Sequence, residues 1–151
     1  VTNSIYRKIM VATDGSEYVR RAVETAVEIT KISGAKLYAV YVIAYGGLLI
    51  PYPKDLGWER AALEYFRTEG EEATAYVENS GKAANVDVES VILEGSPANE
   101  IVDFAEKNDI DLIVMGTLGK TGIQRFLLGS VAENVVRHSK KAVLVVRGET
   151  I

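Results

Sequence analysis

The chain has no cysteine, and that absence removes disulfides, zinc thiolates and a cysteine nucleophile together. Its one histidine, His138, leaves no multi-histidine metal cage and few histidine general-base schemes. Proline is scarce, with 3 in 151 residues, and the 48% hydrophobic and 25% charged residues keep the composition within the globular range. Apolar runs such as residues 112–115 and 142–146 fall far short of the ~20 residues a membrane span needs. Residues 1–8 lack the apolar stretch of a signal peptide, so the cytoplasm is the default expectation and no membrane partner is expected. A net charge of −4 argues against a nucleic-acid partner, since phosphate-backbone binders carry a basic face. At this length a single domain over residues 1–151 is expected.

What is present alternates strand and helix. Residues 5–13 read as a strand, because Ile9, Met10, Val11 and Ala12 form a short apolar run that stops at the turn pair Asp14-Gly15. Ser16 suits a helix N-cap, and Val19, Ala22, Val23, Ala26 and Ile29 recur at helical spacing until Gly34. Residues 36–44 are β-branched and aromatic enough for a second strand. Residues 45–57 hold Pro51, Pro53 and three glycines, break either periodicity and read as a long loop, suited equally to a partner surface or to packing on its own domain.

A long helix follows from Trp58 toward Gly81, and residues 86–93 alternate as an edge or half-exposed strand. Ser96-Pro97 opens a third helix whose buried stripe is Ala98, Ile101, Val102 and Ala105. Leu112, Ile113, Val114 and Met115 form a continuous apolar strand, the pattern of a strand covered on both faces and expected at the sheet centre. A glycine-bearing loop over residues 116–128, a helix from Gly129-Ser130 to near Ser139 and a fifth strand at 142–146 complete the order. Parallel right-handed crossovers then predict an open α/β, doubly wound, five-stranded parallel sheet of order 3-2-1-4-5 with helices on both faces. Ligands bind such sheets at the carboxyl ends of strands 1 and 4, where the order reverses.

Two segments fall at that point, Ala12-Thr13-Asp14-Gly15-Ser16 and Met115-Gly116-Thr117-Leu118-Gly119. Gly116 and Gly119 permit close approach and positive φ, and a helix opening at Gly129-Ser130 offers backbone N–H groups to an anion. Phosphate binding by backbone is the chemistry this suggests. The same glycines also fit ordinary turn geometry, and Ser130-Val131-Ala132-Glu133 fits a capping box that only closes the helix end. Gly119-Lys120-Thr121 is no Walker A loop, because its first glycine would fall at Val114. His138, beside Lys140 and Lys141, reads as a helix-end residue favoured by the dipole, and Lys120 and Arg125 as solvated loop charges before phosphate contacts.

The spacing Gly116-x2-Gly119-x9-Gly129-Ser130, followed by Val131-Ala132-Glu133, resembles the universal stress protein family. The likeness extends to Val11-Ala12-Thr13-Asp14-Gly15-Ser16 and to Val143-Leu144-Val145-Val146-Arg147, and so covers nearly the whole chain. With every element of the spacing kept, the chain is similar to the family's ATP-binding branch, whose fold is adenine-nucleotide alpha-hydrolase-like. The resemblance implies that Ala12, Thr13 and Asp14 stand beside the nucleoside, with Asp14 on the ribose hydroxyls or near a metal. It puts Val42 at adenine through its backbone, Met115 and Gly116 beside base and ribose, and Gly119, Gly129, Ser130 and Val131 at the phosphates. The ligand so implied is ATP, or ADP or AMP, with Mg2+ or Mn2+ on the phosphates. It also implies a homodimer through the strand 5 edge of Val143, Leu144, Val145 and Val146, although many relatives have a proline where this chain has Ala142.

Three functions stay open on these residues. The first is an ATP-binding module that acts as a nucleotide-dependent dimeric switch in a stress response. The second is a slow ATPase or a nucleotidyl-transfer enzyme, weakened because Ser-Gly-Gly-x-Asp-Ser is absent after strand 1 and no general base but Asp14 is evident. The third is a dimeric interaction module with a vestigial nucleotide site. A bulky residue at Gly129 is expected to abolish nucleotide binding and leave the fold intact.

Overall fold

The computed structural model describes residues 5–44, 56–117 and 128–148. Its strands are β1 (Lys8–Ala12), β2 (Lys36–Ile43), β3 (Val88–Glu94), β4 (Leu112–Gly116) and β5 (Ala142–Val146). Its helices are α1 (Arg20–Ser33), α2 (Leu56–Ala83), α3 (Pro97–Lys107) and α4 (Ser130–His138), with a 3-10 turn, Glu17–Val19, ahead of α1. The strands pair in parallel in the order β3-β2-β1-β4-β5, as the alternation predicts.

Side chains of successive strand residues point to opposite faces, and this sorts the core into two layers. Ile9, Val11, Leu37, Ala39, Leu112 and Val114 pack with Val23 and Ala26 of α1 and Val77 of α2 on one face. Met10, Val40, Ile113 and Met115 pack with Ile101 and Ala105 of α3 and Ala132 and Val135 of α4 on the other. Each fully buried Ile, Val or Leu contributes roughly 1.5–3 kcal/mol relative to an exposed one, so both layers hold the crevice walls in place.

Several boundaries differ from the sequence reading. β4 is an interior strand, buried from Leu112 to Met115, but β1 holds the middle place. β1 is likewise buried from Ile9 to Val11, and the order of the strands puts it in the middle. Ser16 precedes the 3-10 turn and α1 starts at Arg20, while α2 starts at Leu56, so Gly57 is helical. The rest of the expected loop, residues 45–55, lies outside the described residues. The half-exposed β3 is an edge strand, as its alternation predicts.

Candidate functional site

The floor of the crevice is apolar and assembled from four elements. Ala12 ends β1, Val42 lies near the end of β2, Met115 near the end of β4 and Val131 in the first turn of α4. Alternation puts the three strand residues on the α3/α4 face, where they pack with Val131 and Leu128 in one cluster. Met115 is buried and the other three are half-buried. These four sequence-predicted residues are therefore brought together.

The turn after β1 is closed by side-chain oxygens. The Thr13 N–H donates to Val40 O at 2.9 Å and extends the sheet by one bond. The Gly15 N–H donates to Thr13 Oγ1 at 3.1 Å, and the Ser16 N–H and hydroxyl both donate to Asp14 Oδ1, at 2.9 and 2.6 Å. Gly15 has φ +78° and a Cβ added there would lie 3.2 Å from Ala73 Cβ on α2, so the position needs glycine for conformation and space. Ser16 occupies the N-cap position of the 3-10 turn, but its side chain makes no cap bond. The charged Asp14 oxygen is a strong acceptor two residues away and takes the hydroxyl instead.

The turn after β4 is closed by backbone. The Thr117 N–H donates to Val146 O at 3.1 Å, and the Gly129 N–H donates to Thr117 O at 2.7 Å. Gly116 is the last residue of β4, in register with Val146, and does not use the positive φ that glycine permits. Gly119, Lys120 and Arg125 lie outside the described residues. The N-cap of α4 is Gly129, with ψ 162°, and Ser130 is the first helical residue, so the capping-box reading of Ser130 fails. The Glu133 carboxylate accepts from Arg137 at 2.9 Å instead of reaching back to the helix start.

This closure changes the account of Gly129. Its N–H is committed to Thr117, so the groups left to face an anion are the N–H groups of Ser130, Val131 and Ala132, ahead of the first ladder bond from Glu133 N–H to Gly129 O. A Cβ at Gly129 would stand 2.9 Å from Thr117 O, a backbone atom that cannot swing away. A bulky residue there disturbs the closure itself, against the expectation of an intact fold.

Two features escaped the sequence reading. One is the pairing of Ser16 with Asp14, which the usual capping role of serine hides. The other is a cavity of about 210 Å³ between the β1 turn and α2, with Thr13, Ser16, Arg20, Glu69, Glu72 and Tyr76 among its walls. The Arg20 guanidinium lies 5.4 Å from the centre of the Tyr76 ring there. This contact joins residues 56 apart in sequence, and no local pattern announces it.

Among the described residues no three His, Cys, Asp or Glu side chains could together hold a metal ion, and no helix is long and apolar enough to cross a membrane. His138 ends α4, exposed, with Nδ1 2.9 Å from Asn134 O, the helix-end place the sequence suggests.

Residues 5–147 match the model of the Universal stress protein family. The chain is 44% identical over 144 residues to Universal stress protein MJ0531 of Methanocaldococcus jannaschii, covering 95% of this chain and 84% of the relative. It shares its fold with a universal stress protein solved in complex with cAMP, at 30% identity and TM-score 0.70, covering 95% of this chain and 98% of that one. It is likewise similar to the universal stress protein from Archaeoglobus fulgidus in complex with dAMP, at 27% identity and TM-score 0.70, covering 95% and 99%. A match along nearly the whole chain, on a sheet of the expected order, means that the chain belongs to the universal stress protein family.

Proposed function

We propose that the chain binds an adenine nucleotide, with ATP the form that sets its state, in the crevice between the ends of β1 and β4. The observation that carries this is the convergence of Ala12, Val42, Met115 and Val131 on one apolar floor beside the N-terminus of α4. The base lies on that floor, and the backbone of Val42 meets its edge. Ala12 and Thr13 flank the nucleoside, with Gly116 beside the ribose. The phosphates lie toward the N–H groups of Ser130, Val131 and Ala132, with Gly119 and Gly129 giving the chain room to approach. Hydrogen bonds to charged groups contribute about 1.5–3 kcal/mol each, so a few such donors retain a polyphosphate. The relatives solved with cAMP and dAMP support an adenine nucleotide as the ligand class.

Magnesium or manganese would arrive with the phosphates. Magnesium keeps several waters and takes one or two carboxylates besides phosphate oxygens, and Asp14 is the carboxylate at hand. In the same reading the protein works in the cytoplasm as a homodimer paired through β5, which is an edge strand with Leu144 36% exposed. Nucleotide occupancy then biases the segment between Gly116 and Gly129 and so the surface shown to a partner.

Mass spectrometry of nucleotide released from freshly purified protein, followed by calorimetry with ATP and magnesium, tests the proposal. Saturable binding of intact ATP is the expected result. Binding with release of ADP over minutes would favour the ATPase reading, and no heat at millimolar ATP would favour a vestigial site.

A further inference from the structure

Charges of both signs line the cavity between the β1 turn and α2, and they do not meet. Glu69, Glu72, Ala73 and Tyr76 stand at i, i+3, i+4 and i+7 of α2, one face of the helix, and all four line the cavity. Val77, next on that stripe, is fully buried in the core. The stripe therefore turns from apolar to acidic where it passes the β1 turn, and the small side chain of Ala73 leaves space there. Arg20, at the start of α1, adds a guanidinium 5.4 Å from the centre of the Tyr76 ring. Among the described residues Arg20, Glu69 and Glu72 have no ion-pair partner, in each other or elsewhere. Thr13, only 6% exposed, also lines the cavity. Its Oγ1 accepts from Gly15 N–H at 3.1 Å, but the hydroxyl donates to no group among the described residues. A buried hydroxyl ordinarily finds a partner for its proton, and here the cavity is where one can sit.

We infer that this cavity binds a small basic amino acid, with its carboxylate on Arg20 and its ammonium groups on Glu69 and Glu72. The cavity lies on the α1/α2 face of the sheet, opposite the apolar floor, so the inference stands apart from the nucleotide reading. Size and charge set the class of guest. About 210 Å³ is less than the ~300–1,000 Å³ of pockets that enclose drug-sized ligands, so the guest is a small metabolite. One guanidinium and two carboxylates are complemented by one anionic and two cationic groups, the set that lysine or ornithine carries. A simple anion would face two carboxylates and a metal cation would face Arg20, and like charges so placed are costly. The Tyr76 ring restrains the Arg20 side chain, and a guanidinium takes a carboxylate through two parallel N–H donors.

Amide NMR during titration with lysine, lysinamide and norleucine at constant ionic strength tests the inference. Saturable shifts are expected with lysine at Thr13, Gly15, Arg20, Glu69 and Ala73. Lysine should bind about fivefold more tightly than lysinamide, which lacks the carboxylate, or norleucine, which lacks the second ammonium. The factor is modest because Arg20 and Glu72 are exposed to solvent. Arg20→Gln should erase the preference over lysinamide, and the double variant Glu69→Gln with Glu72→Gln the preference over norleucine. Both proteins should keep urea midpoints close to wild type, as surface substitutions do. Absence of saturable shifts at millimolar lysine overturns the inference, and so does equal affinity for lysine and either analogue. A preference over lysinamide that survives Arg20→Gln also overturns it, as do shifts that sodium chloride reproduces, the mark of hydrated charges only.

Discussion

The two halves of the crevice are closed by different chemistry. After β1 the bonds run to side-chain oxygens, from Gly15 N–H to Thr13 Oγ1 and from Ser16 to Asp14 Oδ1. After β4 they run from backbone to backbone, from Thr117 to Val146 and from Gly129 to Thr117. Side-chain closure leaves a carboxylate as the polar feature of its half, suited to a hydroxyl donor or a cation. Backbone closure leaves the unpaired N–H groups of a helix start, suited to an anion. A nucleotide has both kinds of group, and the proposed binding mode assigns one to each turn.

The largest effect should come from breaking the backbone half. Gly129→Val sets a branched side chain on a Cβ position 2.9 Å from Thr117 O. Calorimetry should show ATP affinity falling by roughly 100-fold or more, and urea unfolding a loss of about 1–3 kcal/mol, as in other overpacked sites. Breaking the side-chain half should do less. Asp14→Ala removes the acceptor of both Ser16 bonds and should lower ATP affinity about tenfold, the value of a hydrogen bond to a charged group.

Gly15→Ala separates stability from affinity within that same half. It forces a Cβ into φ +78° and against Ala73, and should cost about 1–2 kcal/mol in urea unfolding. Ser130→Ala sharpens the assignment of the α4 N-cap, because Ser130 is exposed and makes no cap bond. Its stability should change by less than about 0.5 kcal/mol, where loss of a true N-cap serine would cost about 1 kcal/mol.

The smallest effect belongs to a control at the far edge of the sheet. The Glu89 carboxylate beside Lys36 holds its ammonium above the usual lysine range through a 2.9 Å hydrogen bond. Glu89→Gln should return that ammonium toward its ordinary value by NMR titration and leave both ATP affinity and the urea midpoint unchanged. A raised lysine pKa gives stability that is present below the unfolded value and lost as pH rises past the folded one. Any residual effect of the pair therefore belongs below that alkaline range.

The strands and helices were legible because their signals are local. Short apolar runs mark β1, β4 and β5, Gly34 ends α1 and Ser96-Pro97 opens α3, each within a few residues of sequence. The α4 cap was not legible, because Gly129 and Ser130 are adjacent and both favoured at N-caps. A bond to Thr117, twelve residues earlier, selects the glycine. The continuous apolar run of β4 suggests the sheet centre, but the strand order, which follows from the crossovers, gives that place to β1. The candidate site residues come from the family resemblance, and what the structure adds is that alternation sends Ala12, Val42 and Met115 to one face. The Ser16 pairing was hidden although it spans only two residues, since a serine at a helix start can accept from the backbone or donate to a neighbour.

Backbone amide NMR during a titration with ATP and magnesium tests the central claim most directly. The account predicts saturable shifts at residues 12–14, 115–116 and 130–132, with one nucleotide bound per chain. Shifts confined to Arg20, Glu69 and Tyr76 around the cavity on the other face, or none at millimolar ATP, would contradict it.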